Sequence, residues 1–115
     1  MTWIYHLTTQ ESWDRASSRG ELHAPSLEAE GFIHASTIEQ VEASANRFFA
    51  GHQSLLLLKI EVAKLRSALA WEKSSHSDAS FPHIYGPLNL NAVAEIIFWK
   101  RTQVGAYVWP PSSTH

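Results

Sequence analysis

Residues 54–62, with the sequence SLLLLKIEV, constrain the fold of this chain more than any other segment. The segment begins as an unbroken apolar run and then alternates, with Lys59 and Glu61 as its polar members. A strand that is buried on both faces has a continuous apolar sequence, and alternation returns where one face meets water. The segment therefore predicts a central β-strand that emerges toward solvent, and it places a sheet at the centre of the fold.

Further segments have the composition of strands, with aromatic and β-branched residues between turn-forming ones. They are residues 3–7, 32–35, a short stretch ending at 71–72, 95–99 and 107–109. In the first of these, period-two geometry places Ile4, His6 and Thr8 on one face of the strand. In the second, Phe32, His34 and Ser36 share a face.

Two amphipathic helices are predicted, each opened by a capping box that satisfies free main-chain N–H groups at the helix start. The capping pairs are Thr8 with Glu11 and Ser36 with Glu39. The first helix extends to about Arg19 and is ended by Gly20, and the second is ended by Gly51. The apolar stripe of the second helix consists of Ile38, Val41, Ala45, Phe48 and Phe49. A single helical turn is predicted to start at Pro25.

Together these elements predict one α+β domain, with about six strands in mostly antiparallel sheets that are split into two halves and carry two main helices. At 115 residues the chain has room for a single hydrophobic core. The domain is expected to span residues 1–110, and residues 111–115 to form a flexible tail. Residues 73–80 (KSSHSDAS) are small and polar, which is typical of a loop.

Composition excludes several classes of function. The net charge is −2, from nine basic and eleven acidic residues, and Lys100 and Arg101 form the only adjacent basic pair. Nucleic-acid binding draws on clustered Lys and Arg, so strong binding to nucleic acid is not expected. The absence of cysteine excludes disulfides, cysteine-ligated zinc and a thiol nucleophile. No segment approaches the roughly 20 apolar residues of a membrane helix, and residues 1–7 lack the layout of a secretory signal, so we expect a cytoplasmic protein.

His6 and His34 each lie where a predicted strand meets a predicted helix. Strand ends are favoured ligand sites because side chains there face an open cleft. Thr8 follows His6, and Ser36 follows His34, at the same spacing. The free N–H groups of a helix start attract phosphate or carboxylate groups. The alternative is structural, with each histidine packed inside the domain and each hydroxyl serving only as a helix cap.

Residues 81–87 (FPHIYGP) are the most unusual stretch, because two prolines and a glycine surround His83 and Tyr85. A rigid loop with one titratable group and one phenol suits a flat ligand, since little entropy is lost on binding. A well-packed turn that closes the sheet explains the same residues. Glu72, beside Trp71, is either a carboxylate whose pKa is raised by partial burial for acid–base work or an ordinary exposed residue at a strand end.

Metal binding has little support in the spacing of the histidines. A zinc site formed by His6, His34 and His83 is conceivable from the ligand type alone. Spacings such as H-x-H or H-E-x-x-H are absent from the chain. We therefore expect the protein to hold no metal.

Four motifs resemble a small, largely bacterial family that is catalogued as domain of unknown function 952. They are YHLT at 5–8, EGFIHAS at 30–36, WE at 71–72 and FPHIYGPLN at 81–89. The resemblance covers nearly the whole chain, from about residue 4 to residue 109. It implies an ADP-ribosyltransferase-like fold, with a layout similar to that of the RNA 2′-phosphotransferases. Those proteins carry Tyr-His-x-Thr on a first strand and a histidine on a second strand that ends in a small residue.

This resemblance implies that His6 contacts a ribose of NAD, with Thr8 near the nicotinamide amide and His34 and Ser36 on the opposite wall. The phosphotransferases hold an RNA phosphate through several arginines, some of them from an extra N-terminal lobe. This chain has no arginine near either motif. ADP-ribosylating toxins use a glutamate on a later strand, and Glu72 does not fall where that residue is expected. The resemblance therefore favours binding of an NAD-like nucleotide over transfer to RNA or protein.

Two hypotheses about function follow. The first is an enzyme of the ADP-ribosyltransferase-like class that acts on NAD or an ADP-ribose-like nucleotide, with His34 or His83 as the proton-transfer group. Its binding residues are His6, Thr8, Ser36 and Tyr85. The second is a non-catalytic nucleotide-sensing or interaction module that uses the same cleft. Under either hypothesis His6 and His34 face one pocket, with His83 or Tyr85 at its rim, all within about 10 Å.

Overall fold

Strands and helices make up most of the residues described by a computed structural model of the chain, which are residues 2–73 and 78–111. The strands are β1 (Trp3–Thr8), β2 (Glu21–Leu22), β3 (Ile33–His34), β4 (Ser54–Glu61), β5 (Ala68–Lys73), β6 (Ser80–Tyr85), β7 (Leu88–Asn89) and β8 (Val93–Lys100). The α-helices are α1 (Gln10–Arg19), α2 (Pro25–Glu30) and α3 (Val41–Phe48). Residues 74–77 of the predicted loop and residues 112–115 of the predicted tail lie outside the described residues. Within the described ranges, no helix is long and apolar enough to cross a membrane.

The predicted central strand is confirmed as β4, which lies between β1 and β8 in an antiparallel sheet, here called sheet 1. A second antiparallel sheet, sheet 2, has the order β3-β6-β5, and the short strands β2 and β7 pair separately. The α+β class with split antiparallel sheets is therefore confirmed, and α2 confirms the helical turn predicted at Pro25. Eight strands are described where about six were predicted, because β2, β6 and β7 were not predicted as strands and residues 107–109 do not form one.

Both faces of the central strand β4 are buried, which explains why its sequence begins as an unbroken apolar run. The face shared with sheet 2 forms one core, which contains Ile4, Ile33, Leu58, Ile60 and Ile84. The face covered by α3 forms the other core, which contains Tyr5, Val41, Ala45, Leu57, Trp99 and Tyr107. The alternation of β1 thus places Ile4 and Tyr5 in different cores, as predicted.

Main-chain hydrogen bonds just after β3 join the two sheets. The N–H of Ala35 donates to the carbonyl of Pro82 in β6 at 3.0 Å. One residue later, Ser36 and Tyr5 of β1 exchange two main-chain bonds of 2.7 and 2.8 Å. The chain therefore passes from sheet 2 to sheet 1 within two residues, and this places His34 close to β1.

Helix α1 confirms the predicted end and corrects the predicted start. Gly20 has a φ of 98°, the left-handed conformation that glycine adopts at a helix C-terminus. The capping residue is Thr9, not Thr8, and its Oγ1 accepts a hydrogen bond from the N–H of Ser12 at 3.1 Å. Thr8 pairs with Leu56 of β4 instead, so β1 continues one residue further than predicted.

Helix α3 begins later than predicted, at Val41, because the main chain of Ser36 belongs to the bridge between the sheets and does not cap the helix. Two residues of the predicted apolar stripe, Val41 and Ala45, are fully buried as expected. Phe48 was wrongly assigned to the buried stripe, since it is 61% exposed at the end of the helix. The helix ends there, before Gly51.

Two segments near the C-terminal half differ from prediction. Residues 81–85 of the predicted rigid loop 81–87 belong to strand β6, and Pro82 lies inside it. Residues 107–109, a predicted strand, do not form one. Their main-chain N–H groups are satisfied by side chains of α3: Tyr107 N–H donates to Asn46 Oδ1 and Trp109 N–H to Glu42 Oε2, each at 2.8 Å. Side-chain acceptors thus replace the partner strand.

Candidate functional site

The outer face of sheet 2 carries a cluster of polar and aromatic side chains, here called the histidine face: Phe32, His34, Glu72, His83 and Tyr85. Strand pairing places them together, because His34 and His83 are register partners and Tyr85 follows His83 by two positions. The opposite face of the same strands carries Ile33 and Ile84 and belongs to the core. Alternation in sheet 2 therefore directs the histidines outward.

His83 lies at the centre of this face and is only 7% exposed. The ring of Phe32 stacks on its imidazole, with 4.0 Å between ring centroids and 18° between ring planes. The Nδ1–H of His83 donates a hydrogen bond to Glu72 Oε1 at 2.7 Å, and the hydroxyl of Tyr85 donates to the same oxygen at 2.5 Å. Glu72 therefore fixes both the orientation of the His83 ring and the nitrogen that carries its proton.

These two donors hold the pKa of Glu72 below its usual range, with the Tyr85 hydroxyl as the larger cause and the His83 imidazole as the next. This direction is opposite to the rise that partial burial beside Trp71 suggested. The same hydrogen bond raises the pKa of Tyr85, because its phenolate would face a carboxylate. At neutral pH Glu72 is thus a carboxylate and Tyr85 a neutral phenol. A histidine held in this way by an acidic partner has the arrangement of a general acid or base.

His34 lies beside His83, with 5.4 Å between the ring centroids and the planes at 84°. Its Nε2 forms a 3.0 Å contact with Glu30 Oε2, so this imidazole also has a carboxylate partner. Phe32 meets the ring of His34 edge-on at 4.8 Å. Two imidazoles, each with its own carboxylate, therefore share one aromatic surface.

His6 is not part of the histidine face. It is buried, and its Nδ1–H donates to the main-chain carbonyl of His34 at 2.6 Å, at the junction of the two sheets. Burial lowers the pKa of His6 to about 4; the bond to His34 offsets part of this change, and the charge of the His34 imidazole lowers the pKa further. His6 is therefore neutral at neutral pH. Its Nε2 has no hydrogen-bond partner among residues 2–73 and 78–111.

The structure brings together part of the predicted histidine group. The imidazoles of His34 and His83 lie within the predicted distance of each other. His6 contacts the main chain of His34 instead of its imidazole, so the three rings do not surround one pocket. In the part of the chain that the structure describes, no group of three or more His, Cys, Asp or Glu side chains could hold a metal ion, so the conceivable three-histidine site is not formed.

The predicted binding residues lie in different environments. Tyr85 is on the histidine face and is 42% exposed. Thr8 and Ser36 are buried, and the hydroxyl of Ser36 shares a 2.9 Å hydrogen bond with the hydroxyl of Ser44. A ligand on the histidine face can reach Tyr85 directly, whereas contacts with Thr8 and Ser36 stay predictions.

The histidine face is an open surface. Two concavities of about 460 and 510 Å³ lie elsewhere, one beside α1 and one between α1 and α2. The larger one is lined by Arg15, Arg19 and His23 among others, and none of the predicted site residues lines either. A ligand on the histidine face would keep much of its surface in water, which limits its affinity.

Three residues of this site were missed or left open by the sequence. Glu30 contacts His34 across the turn between α2 and β3, which helix periodicity does not predict. Phe32 was correctly predicted to share a face with His34, but it was not identified as a residue of the site. Glu72 has no local signal for its contact with His83, because that contact depends on the pairing of β5 with β6.

Fold and site together define a class of protein: a small α+β domain of two split antiparallel sheets, one of which presents carboxylate-paired histidines on its outer face. The chain belongs to the family described as Protein of unknown function (DUF952), whose model matches residues 7–96. That range contains the whole histidine face.

The chain is also similar to solved structures of one protein. The crystal structure of Protein CC0527 from Caulobacter crescentus shares 33% identity over 93% of this chain and 94% of that chain, with a TM-score of 0.85. The solution NMR structure of CC0527 shares 34% identity over 92% of this chain and 91% of that chain, with a TM-score of 0.78. No curated protein matches the chain.

Proposed function

We propose that the histidine face binds the ribose end of NAD or of an ADP-ribose-like nucleotide, and that His83 transfers a proton there. The observation that carries this proposal is the 2.7 Å bond between His83 and Glu72 on a face that also presents aromatic rings. The class of ligand is suggested by the resemblance of the YHLT and EGFIHAS motifs to ADP-ribosyltransferase-like proteins. The chemistry is suggested by the geometry around His83.

The state of His83 supports proton transfer. In the neutral form of the ring, Nδ1–H donates to Glu72 and Nε2 carries a free lone pair. Among the described residues Nε2 has no partner, and it is not fully buried, since the sole buried and unpaired side-chain polar atom there is Arg101 Nε. Such a nitrogen can accept a proton from water or a hydroxyl, and the carboxylate then stabilises the imidazolium.

Charge on and beside the face supports one orientation of the nucleotide. Glu30 and Glu72 would repel a pyrophosphate but attract the positively charged nicotinamide ring of NAD. Arg47 lies at the border: its guanidinium is 5.4 Å from the centre of the Phe48 ring, and that ring is 6.4 Å from the imidazole of His34. The nicotinamide and its ribose therefore lie near the carboxylates, and the pyrophosphate extends toward Arg47.

In its catalytic form, the proposal is hydrolysis of the bond between the ribose C1′ and nicotinamide. That bond breaks, and its electron pair leaves with nicotinamide as a neutral product. The carboxylates stabilise the positive charge that develops on the ribose. Water adds to C1′ while Nε2 of His83 accepts the proton, so that NAD and water give nicotinamide, ADP-ribose and a proton.

Binding and turnover are tested by NMR titration of the full chain with NAD and with ADP-ribose, alongside an assay of nicotinamide release. NAD should shift the resonances of Phe32, His34 and Tyr85 with a Kd of about 0.1–1 mM, because Arg47 alone lies near the proposed path of the phosphates and does not clamp them. His83→Ala and Glu72→Gln should spare most of the binding and abolish release, because they remove the proton acceptor and its acidic partner.

His23→Ala is the matched control for this experiment. His23 also contacts a carboxylate, Glu21, at 2.5 Å, but it lines the concavity between α1 and α2. Its removal should change neither binding nor release. Wild-type protein that shows no shifts at several millimolar NAD would rule out the nucleotide proposal in both its forms.

A non-catalytic nucleotide-sensing module is the second candidate, and the openness of the histidine face favours it. Catalysis through a charged ribose benefits from a site that excludes water, and a face on which Tyr85 is 42% exposed excludes little. Binding of NAD without release of nicotinamide in every condition would support the sensor and contradict the enzyme.

A further inference from the structure

Among the strands that the structure describes, none lies beside the outer edge of β8. Sheet 1 has the order β1-β4-β8, so β8 is terminal. Within residues 2–73 and 78–111, the main chain of residues 95–99 bonds only to β4. At eight residues β8 is a long edge strand, and unpaired N–H and C=O groups along such an edge are a template for another strand.

Apolar side chains on this strand are exposed. Ile96 is 45% and Phe98 is 60% exposed, although their register partners on β4, Leu58 and Leu56, are buried. Ile96 and Phe98 lie on the same face of β8, two positions apart, so they form an apolar strip along the edge. The described residues do not cover this strip, so its burial would require a surface from elsewhere.

Most of β8 lacks the features that commonly prevent an edge strand from pairing with another strand. Proline is absent from it, and the one irregularity in its pairing lies at its start, where Lys59 and Ile60 pair with Glu95 and Val93. The strand beyond that point is regular. Its charges differ in sign, with Glu95 near the start and Lys100 at the end.

We propose that a second copy of this chain docks on the edge by antiparallel pairing of β8 with β8, around a two-fold axis at Ile97. Such an axis, perpendicular to the sheet, keeps the same face upward in both chains, so Ile96 lies opposite the partner's Phe98. Antiparallel pairing also brings the acidic start of each strand toward the basic end of the other, so the charges are complementary. The two three-stranded sheets become one continuous sheet.

Size-exclusion chromatography with light scattering tests this proposal on the full chain over a wide range of concentrations. The mass should approach twice the 12.9 kDa of one chain as the concentration rises. The double variant Ile96→Lys with Phe98→Lys should weaken association at least about tenfold, because lysines would face lysines across the interface. Val104→Lys is the matched control, since Val104 is 89% exposed in the turn after β8, and it should leave association unchanged.

A single introduced cysteine reports the register, because the chain has none of its own. Ile97→Cys lies on the proposed axis, where opposite Cβ atoms are about 4.5–5.5 Å apart, so a short bis-maleimide should join two chains. Val104→Cys should stay a single chain under the same conditions. Circular dichroism checks that each variant keeps its strands. A wild type that is monomeric at every concentration overturns the proposal, and so does a dimer that survives the lysine pair or crosslinks equally at both positions.

Discussion

Protonation of His6 should destabilise the fold as the pH falls from about 6.5 to about 4. Burial lowers the pKa of this imidazole from 6.5 to about 4 in the folded chain. Throughout this interval the unfolded chain binds a proton that the folded chain excludes, so the free energy of unfolding decreases as the pH decreases. The contribution of neutral His6 is fully present above the unfolded pKa and is lost as the pH drops toward the folded one.

The magnitude follows from the size of the pKa change. The displacement from 6.5 to about 4 is about 2.5 units. At about 1.4 kcal/mol per unit, the complete loss is about 3 kcal/mol. Between about pH 7.5 and about pH 5, where few carboxylates titrate, about 2 kcal/mol of that loss is expected. This is a large fraction of the roughly 5–15 kcal/mol that stabilises a typical domain.

Urea unfolding of the wild type and of His6→Asn over this pH range measures the effect. The side-chain amide nitrogen of Asn is as many bonds from Cα as Nδ1 of His6 is. The Asn variant can therefore still donate a hydrogen bond to the carbonyl of His34, but its side chain does not titrate. All other titrating groups are shared and cancel in the comparison. The wild type should lose about 2 kcal/mol relative to His6→Asn between about pH 7.5 and about pH 5.

Two results would refute this reasoning. One is a pair of parallel stability curves for the wild type and His6→Asn. The other is an NMR titration in which the imidazole of His6 has its midpoint near 6.5, because burial would then not exclude the charged form. His6→Ala removes the donor as well as the titrating ring, so the carbonyl of His34 is left without a partner. This variant should lower the free energy of unfolding by about 2–4 kcal/mol at neutral pH.

Two further predictions concern a helix cap and a glycine beside the histidine face. Thr9→Ala should lower the free energy of unfolding, measured with urea, by about 1 kcal/mol, because the N–H of Ser12 loses its acceptor. Thr9→Asp should restore the acceptor and the stability. An Ala variant as stable as the wild type would contradict this role of Thr9. Gly86→Ala should cost about 1–3 kcal/mol, because Gly86 has a φ of 151° and a Cβ there meets the side chain of Ser67. Gly51→Ala, where nothing lies within 4 Å of an added Cβ, is its control, and an equal loss at both positions would exclude the steric explanation.

The fold was predictable where the signal lies within one segment, and not where it depends on distant partners. The apolar run of β4 and the glycine that ends α1 are local patterns. The start of α1 is not, because Thr8 and Thr9 are both suitable caps, and the pairing of Thr8 with Leu56 decides between them. The segment after β8 has the composition of a strand, but its N–H at Tyr107 bonds to Asn46, 61 residues away in the chain.

The candidate site shows the same division. His34 and His83 were both identified from their local motifs, and the β3–β6 register then makes them neighbours. The role of Glu72 could not be decided from the sequence, because it depends on contacts with residues of another strand. Glu72 lies 11 residues from His83, beyond the reach of strand or helix periodicity within one segment. The aromatic stack of Phe32 on His83 likewise exists only once sheet 2 has formed.

The structural role of His6 and the ligand role predicted for it need not exclude each other, because the two nitrogens of one imidazole can serve different purposes. Nδ1 supplies the donor that the carbonyl of His34 requires at the junction of the sheets. Nε2 is left as a neutral acceptor without a partner among the described residues, and a ribose hydroxyl is a suitable donor to such an atom. A ribose contact of His6 is the prediction from the sequence motifs and stays a prediction, whereas the structure explains the role of Nδ1 alone. His6→Asn retains the first role and removes the second, so a loss of NAD binding without a matching loss of fold would assign both roles to one ring.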